Sequence, residues 1–433
     1  MMAAQRKELL PGAYLTTICT KKFKTGMLSV NLMLPLAAET ASLNALLPSV
    51  LRRGTAHYPD MIDLSAALDE LYGAAADVDV RKRGEAHCIG FRAVFIDDAY
   101  APGGENLLRE TALFLGDLLL RPAMQNGSFC PAYFEGEREN LLRRIRAQKN
   151  DRRLYARLRL LANMCAKEPY GTDRLGTEVS ASSISPQMLL DRYQQILNEA
   201  RIEFFYCGSA SPSQVEQAVL NGFQGLPHHR PAQIETLFFS RAPSPEPKVV
   251  MEEMDISQAR LALGYRSGIR MQDEDYPALL LFNAAFGGTV TSKLFANVRE
   301  RMSLCYEIGS MVEKHKGLLL VAAGIAPEAY EKASDEIANQ LQTFVQGKCT
   351  KQELEDARRA LLSGIRSTSD SQIRLEDFYL NQAVAGLWYA PEDLAQKVSS
   401  VTADAVLETA RHIQLDTIYF LRERGCKNAK NSL

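Results

Sequence analysis

The sequence lacks the residue patterns that mark a metal centre or a disulfide framework. None of its six histidines lies three to five residues from another, and its eight cysteines form no C-x-x-C pair. Two histidines four residues apart on one helix would point both imidazoles at one ion, so no zinc site of that kind is expected. Cysteines scattered in this way are typical of a reducing compartment and predict a cytoplasmic protein.

The chain also lacks a strong net charge and a long apolar run. Its 433 residues carry a formal net charge of -2, which gives no bulk attraction to nucleic acid or to an anionic membrane. The longest apolar run, Leu318 to Ala326, is too short to span a bilayer, and the N-terminal stretch has no apolar core of a signal peptide. We therefore expect neither a membrane nor a nucleic-acid partner. A hydrophobic content of 46% over this length predicts two or more domains with full cores.

The pattern of apolar residues predicts a similar order of elements twice along the chain. The first half is predicted to contain the strand Met27–Leu36, the helices Thr40–Arg53 and Leu64–Tyr72, the strand pair Ala74–Val80 and Ala86–Phe95, the helices Glu105–Leu120, Tyr133–Cys165 and Gln187–Leu197, and the strand Ile202–Cys207. The second half is predicted to contain the strand Ala259–Ser267, the helix Tyr276–Phe286, a capping box at Thr350 and Glu353 before a long helix, a helix from Thr402 to His412, and the strand Asp416–Leu421. Domains are thus predicted at 1–226 and 248–433, joined by a proline-rich linker at 227–247.

The stretch from Phe286 to Ser310 is the most informative part of the sequence. Paired glycines, Gly287 and Gly288, are expected to end a helix because glycine readily adopts positive φ. Thr289 or Thr291 is then expected to cap a second amphipathic helix. The apolar face of this second helix is predicted to comprise Leu294, Phe295, Val298 and Met302.

This stretch resembles the C-terminal signature of the insulinase-like (pitrilysin, M16) metallopeptidases, which is close to GG-x-x-S-x-L-F-x-x-V-R-E-x-x-x-L-x-Y. In that family an arginine and a tyrosine seven residues apart reach across a chamber to hold substrate at a zinc site. The corresponding residues here are Arg299 and Tyr306. The resemblance implies an α+β fold of two tandem homologous domains, each with a mixed or antiparallel sheet backed by helices.

The zinc motif of that family, H-x-x-E-H on a helix, is degenerate in this chain. The G-T and Y-P elements that follow the motif stand at residues 54–59, and counting back places its three functional positions at Ala45, Pro48 and Ser49. Ala45 has no donor atom, Pro48 cannot act as a base, and a serine hydroxyl is a poor zinc ligand. Pro48 also removes a backbone donor in mid-helix, which predicts a kink.

The third zinc ligand of the family, a glutamate seven residues after an E-R pair, is also replaced. Glu137 and Arg138 form the pair here, and Arg144 falls at the ligand position. The resemblance therefore implies a chain with no metal and no catalytic residue of its own.

Some members of the family form heterodimers in which one subunit keeps H-x-x-E-H while its partner has lost it but retains the arginine and tyrosine. This sequence is similar to the zinc-less subunits of such bacterial pairs. The resemblance implies a homologous partner that carries the zinc, a peptide or unfolded polypeptide as substrate, and a role for this chain in completing the chamber. The alternative is a purely structural or peptide-binding protein of the same fold, a homodimer or an assembly subunit, with no hydrolytic role.

Plainer interpretations of the same residues stay open at this point. Arg299 also suits a helix C-terminus, where the macrodipole favours a cation, and Tyr306 suits a half-buried strand. A stretch rich in arginine invites three interpretations: a solvated helix face, a nucleic-acid surface, or the wall of a chamber that attracts acidic peptides. That stretch comprises Arg143, Arg144, Arg146, Lys149, Arg152, Arg153, Arg157 and Arg159. His57 and His87 are predicted to be ordinary polar residues at strand or loop edges.

Overall fold

The structure, a computed structural model, describes residues 4–227, 231 and 233–424. The strands in this part of the chain are β1 Ala4–Leu10, β2 Ala13–Cys19, β3 Thr25–Pro35, β4 Ala75–Arg83, β5 Ala86–Ile96, β6 Met124–Gln125, β7 Ser128–Phe129, β8 Arg201–Gly208, β9 Lys248–Met254, β10 Ala259–Arg266, β11 Cys305–Glu313, β12 Leu318–Ile325 and β13 Gln414–Glu423. The α-helices are α1 Ala41–Leu51, α2 Met61–Glu70, α3 Leu107–Leu120, α4 Pro131–Ala147, α5 Arg152–Met164, α6 Glu178–Ser182, α7 Pro186–Glu199, α8 Pro212–Gly222, α9 Tyr276–Asn283, α10 Tyr330–Val345, α11 Lys351–Arg366, α12 Gln372–Ala385, α13 Pro391–Ser399 and α14 Ala403–His412. Two π-helical segments follow α9, at Ala284–Gly288 and Leu294–Arg301.

Unit 1 consists of the described residues of 1–147, 172–235 and 372–384. Its sheet has six strands in the order β1-β2-β8-β3-β5-β4, in which β2 and β8 are parallel and all other neighbours are antiparallel. Side chains of β3 alternate between the two faces of this sheet. Leu28 and Val30 pack into the main helical layer, and Met27 packs against α12 on the other face.

Unit 2 consists of the described residues of 148–171, 236–371 and 385–433. Its sheet has five strands in the order β11-β12-β10-β13-β9, in which only β13 and β9 are parallel. This order and these orientations match those of β4-β5-β3-β8-β2 in unit 1, so β1 is the one strand of the larger sheet without a counterpart. The predicted α+β fold with two homologous, sheet-and-helix halves is confirmed.

Each unit contains one helix from the other half of the sequence. In unit 1, Leu375 and Tyr379 of α12 pack against the sheet residues Met27 and Phe205. In unit 2, α5 packs against its sheet through Ala156, Leu160, Leu161 and Met164. The changeover between the two units at residues 235 and 236 falls inside the predicted linker. The described residues of this linker, 227, 231 and 233–247, form neither helix nor strand. Residues 228–230 and 232 of that linker lie outside the described residues, and the boundaries at 226 and 248 stay a prediction.

The prediction of one long helix from Tyr133 to Cys165 is wrong. The chain forms α4 and α5 instead, and the break falls at residues 148–151. The carboxylate of Asp151 accepts the N–H of Leu154 at 2.9 Å and so caps α5. Asn and Asp compete with the helix by bonding nearby backbone groups, which favours a new helix start at this point.

No α-helix in the described ranges is long and apolar enough to cross a membrane.

Candidate functional site

The glycine pair of unit 2 lies in a widened helical turn. Helix α9 continues through the π-helical segment Ala284–Gly288, and the backbone becomes extended at Thr289 with φ -132° and ψ 163°. A Cβ on Gly287 would lie 2.6 Å from Ser310 Oγ, and one on Gly288 would lie 2.7 Å from Asn283 Nδ2. The helix therefore ends where the sequence predicted, but for another reason: these glycines permit close packing and do not adopt positive φ.

The following helix, Leu294–Arg301, is also π-helical. The N–H of Met302 donates to the carbonyl oxygen of Asn297, five residues earlier, at 3.0 Å. The predicted caps are wrong, because Thr289 Oγ1 donates to Ala284 O and the hydroxyl that accepts a first-turn N–H belongs to Ser292. π-helical turns are rare and are frequently found at functional sites, which makes this segment a candidate for one.

The apolar face of this helix is narrower than predicted. Leu294 and Val298 are fully buried, whereas Met302 is 42% exposed and does not belong to the face. Phe295 is half-buried and lies beneath a cation, Arg299.

Arg299 lies in the last turn of this helix, with 40% of its side chain exposed. Its guanidinium carbon lies 4.6 Å from the ring centre of Phe295, and Nε lies 3.5 Å from Glu300. Burial raises the pKa of the Cys305 thiol to about 11, and the positive charge of Arg299 opposes this rise. Arg299 therefore acts electrostatically on the residue that immediately precedes Tyr306.

Tyr306 stands at a β-bulge on an edge strand. Within the described ranges, strand β11 pairs with β12 alone. Its register shifts between Cys305, opposite Ile325, and Glu307, opposite Gly324, which leaves Tyr306 as the extra residue. The side chain is 70% exposed, so the half-buried alternative is wrong. A bulge of this kind redirects a side chain away from the regular pleat. Within the described residues, the hydroxyl of Tyr306 has no hydrogen-bond partner.

A cavity of about 710 Å³ lies within unit 2, and its walls include parts of the helix and the strand that carry these two residues. Neither Arg299 nor Tyr306 lines it. Arg299 lies over Phe295, which lines the cavity, and Tyr306 lies two residues before Ile308, which also lines it. The other lining residues are Asp151, Arg153, Leu154, Arg157, Leu160, Ala262, the turn Gly287–Val290, Gly309, Ser310, Met311, Leu320, Val321 and Ala322. The cavity therefore joins an edge strand, the glycine turn and the basic face of α5.

The positions of the degenerate zinc motif lie in unit 1, on helix α1. Ala45 is fully buried in the apolar core, Pro48 is buried and Ser49 is half-buried. The helix continues through Pro48, whose carbonyl oxygen accepts the N–H of Arg52 at 3.1 Å.

Arg144 lies on α4, which packs against α1. The residue is exposed overall, but neighbouring groups crowd its guanidinium. Desolvation lowers the pKa of Arg144, the cation Arg174 lowers it further, and Glu137 acts in the opposite direction. In the E-R pair that precedes Arg144, Glu137 forms an ion pair with Arg53, since its Oε1 lies 3.5 Å from Arg53 Nε.

Comparison with known proteins decides the family. A probable inactive metalloprotease, YmfF of Bacillus subtilis, is 34% identical over 409 residues, covering 93% of this chain and 94% of its own. The chain belongs to the M16 peptidase family. A family profile described as the peptidase M16 inactive domain matches residues 183–361.

Solved structures show the same fold as this M16 chain. A conserved protein from Enterococcus faecalis V583 superposes with a TM-score of 0.90 at 27% identity, covering 98% of this chain and 100% of its own. The peptidase M16 inactive domain from Pseudomonas fluorescens superposes with a TM-score of 0.79 at 19% identity, covering 98% and 99%.

The positions predicted for the zinc motif do not fit the metal. Ala45, Pro48, Ser49 and Arg144 offer a methyl group, a proline ring, a hydroxyl and a guanidinium where the motif needs two imidazoles and two carboxylates. A cation at the predicted third-ligand position would repel zinc. No group of three or more His, Cys, Asp or Glu in the described residues is placed to hold a metal ion. The chain is a non-catalytic homologue of the M16 peptidases.

A buried polar network beside α1 was missed by sequence reasoning. Asn44 Oδ1 accepts the Nε–H of Arg192 at 2.8 Å, and the Asn44 amide lies 3.2 Å from His87 Nδ1. His87 is fully buried and is the second residue of β5. It therefore lies near a strand end as predicted, whereas its burial was not predicted. Burial lowers the pKa of His87 to about 3 and keeps it neutral. The only sequence signal was its position in a strand with apolar residues on both sides.

The arginine-rich stretch is divided between two helices in different units. Its first three arginines lie on α4, and its last four lie on α5. Several are neutralised locally, since Arg146 pairs with Glu178 at 2.9 Å and Arg159 with Glu252 at 3.0 Å. The stretch therefore does not form the single basic helix face on which a nucleic-acid surface would depend.

Proposed function

We propose that this chain is the non-catalytic subunit of a heterodimeric M16 zinc peptidase. A homologous partner that carries H-x-x-E-H would bind zinc and hydrolyse the peptide bond, while this chain would complete the chamber and contribute Arg299 and Tyr306. The observation that carries the proposal is the state of Tyr306, which is 70% exposed, lacks a hydrogen-bond partner among the described residues and projects from a bulge on an edge strand. A tyrosine in that state does little for the stability of its own unit, which favours a role toward another molecule.

The chemistry proposed for the pair follows from their groups. The phenolic O–H of Tyr306 would donate a hydrogen bond to the scissile carbonyl oxygen as negative charge develops there, and Arg299 would form a hydrogen bond or ion pair with the substrate. Removal of one such oxyanion donor typically costs a factor of about 10²–10³ in rate. The half-exposed guanidinium of Arg299, held over Phe295, supports this role because one face of it remains open.

The substrate is proposed to be a peptide or unfolded polypeptide held as an added strand. Strand β11 pairs with β12 on one side only, so its other edge offers unpaired backbone groups. Recognition through the main chain makes little demand on sequence. We further infer from the scattered cysteines that the complex acts in the cytoplasm.

The test is a peptidase assay on a fluorogenic peptide library. This chain, its H-x-x-E-H-bearing genomic neighbour and their mixture are compared, with zinc and then with a chelator. Only the zinc-loaded mixture is expected to cleave. Tyr306→Phe should lower the rate about 10²-fold or more, whereas Tyr100→Phe, a matched change at another exposed tyrosine, should not.

Arg299→Ala should also lower the rate, and Arg301→Ala, two residues along the same helix, serves as its control. If the neighbour cleaves equally well alone, or if the mixture is inert, the shared-site proposal fails. The structural or peptide-binding role then takes its place.

A further inference from the structure

One cation that lines the cavity of unit 2, Arg157, has no counter-ion among the residues that the structure describes. Arg157 of α5 is half-buried, and its Nη1 contacts the sulfur of Met311 at 3.6 Å. Within the described residues no carboxylate oxygen lies within 4.0 Å of its guanidinium. A guanidinium is a strong multiple donor, so this arrangement leaves most of its binding capacity unused.

The other charged residues that line the cavity do not neutralise Arg157. Asp151 is engaged as the cap of α5, where its carboxylate accepts the N–H of Leu154 at 2.9 Å. Arg153 lies 3.5 Å from Glu307, which also contacts Arg260. Two cations and one carboxylate therefore line the cavity, and the carboxylate already accepts a backbone hydrogen bond.

The geometry of β11 places a peptide side chain near Arg157. Glu307 and Met311 point toward α5, since they contact Arg153 and Arg157, and by alternation Gly309 faces the same side. A Cβ on Gly309 would lie 3.5 Å from the carbonyl oxygen of Gly287, an ordinary contact distance, and within 4 Å of no other described atom beyond its chain neighbours, so a side chain can approach this residue without a clash. A strand added to the free edge of β11 would direct alternate side chains into this space, between the two arginines.

We propose that this cavity selects extended peptides with an Asp or Glu side chain opposite Gly309, and that Arg157 is the residue that recognises the carboxylate. This selection rests on the proposed peptide-binding function and names its substrate class. Apolar walls such as Leu160 and Leu320 exclude water and strengthen the attraction relative to an exposed pair. A nucleic acid fits less well, because Phe295 is the only aromatic residue among the lining residues given above.

The experiment measures equilibrium binding to this chain alone by fluorescence anisotropy. Three fluorescein-labelled ten-residue peptides of Thr, Val and Ser differ only at two central positions, which are Glu, Gln or Lys. The Glu peptide is expected to bind about fivefold more tightly than the Gln peptide, the Lys peptide more weakly still, and the preference should shrink with added salt.

Arg157→Gln should bring the Glu-to-Gln ratio close to one, because the Glu peptide loses more affinity than the Gln peptide. Arg159→Gln is the matched control, because Arg159 lies on the same helix, pairs with Glu252 and does not line the cavity. Equal binding of the Glu and Gln peptides, or equal effects of the two variants, would overturn the charge selection and leave the peptide-binding function standing. If none of the three peptides binds, both the charge selection and the peptide-binding function are overturned for the chain alone. If a single-stranded oligonucleotide displaces the labelled peptide, the cavity is a phosphate site instead.

Discussion

A buried ion pair that fastens α12 to unit 1 gives the sharpest stability prediction. Glu376 of α12 is 1% exposed and receives two hydrogen bonds of 2.6 Å from the guanidinium of Arg81 on β4. Asn31 Nδ2 donates to the same carboxylate at 2.9 Å, and Ser29 Oγ donates at 3.4 Å. Four hydrogen bonds from β3 and β4 therefore converge on this one carboxylate.

Replacing Glu376 by Leu should destabilise unit 1 because it leaves a nearly buried cation without its main partner. Breaking such a pair costs about 3–5 kcal/mol. Asp79 at 3.6 Å and Asp377 at 3.9 Å from Arg81 offset part of that loss, so we expect about 3 kcal/mol. This corresponds to a roughly hundredfold larger population of the state in which α12 is released.

The assay is hydrogen–deuterium exchange of peptides that cover α12, read together with the urea midpoint. Exchange in α12 should accelerate about a hundredfold in Glu376→Leu. The double variant Arg81→Met with Glu376→Leu should recover most of the loss, because an apolar pair of similar volume replaces the buried charges. Ile373→Ala, at an exposed position of the same helix, is the control. The reasoning fails if the double variant is as unstable as the single one, or if α12 exchanges no faster than before.

Three further predictions follow from individual residues. Gly287→Ala should lower the free energy of unfolding of unit 2, measured in urea titrations, by about 1–3 kcal/mol because its Cβ would clash. Gly364→Ala lies in a helix with no atom within 4 Å of the new Cβ and should raise this free energy by about 0.5–1 kcal/mol. Equal effects of the two variants would contradict the packing argument. The pKa of His87 is lowered to about 3 in the folded chain, so below about pH 6.5 the unfolded chain binds a proton that the folded chain does not. The free energy of unfolding should therefore fall as the pH decreases from about 6.5 toward 3. If the pH dependence of this free energy is unchanged in His87→Gln, the assignment is refuted. Ala45→His should lower the free energy of unfolding by about 1–3 kcal/mol, because it overpacks the core around Ala45. The variant should bind no zinc in equilibrium dialysis, because the other motif positions supply no second imidazole. Tight zinc binding would overturn the degenerate-site assignment.

Regular elements were predictable because their apolar residues recur with a fixed period. The helix Gln187–Leu197 and its capping serine and proline are observed as α7, with Ser185 as N-cap, and the capping box of Thr350 and Glu353 is observed at the start of α11. These features depend only on side chains a few residues apart, which is the range that sequence patterns report.

Features that depend on long-range packing were not predictable in the same way. The break at residues 148–151 lies in an arginine-rich stretch, where only Asn150 and Asp151 indicate it, and nothing in the apolar pattern assigns α5 to unit 2 or α12 to unit 1. The two π-helical segments keep an apolar spacing close to that of an α-helix, so sequence periodicity does not distinguish a π-helix from an α-helix. The cavity of unit 2 is lined by an edge strand, a widened turn and a helix from the other half of the sequence, and only the three-dimensional arrangement brings these together.

The two halves of the chain place their candidate functional residues in opposite settings. On α1, Ala45, a predicted position of the zinc motif, is part of the apolar core. In unit 2, Tyr306 is exposed and Arg157 lacks a counter-ion among the described residues, so neither is explained by the folding of its own unit. A side chain retained only for stability is normally buried or paired. A core residue at the predicted zinc position, together with polar groups in unit 2 that fold-stability does not explain, supports the proposed role of a subunit that acts on a partner's substrate.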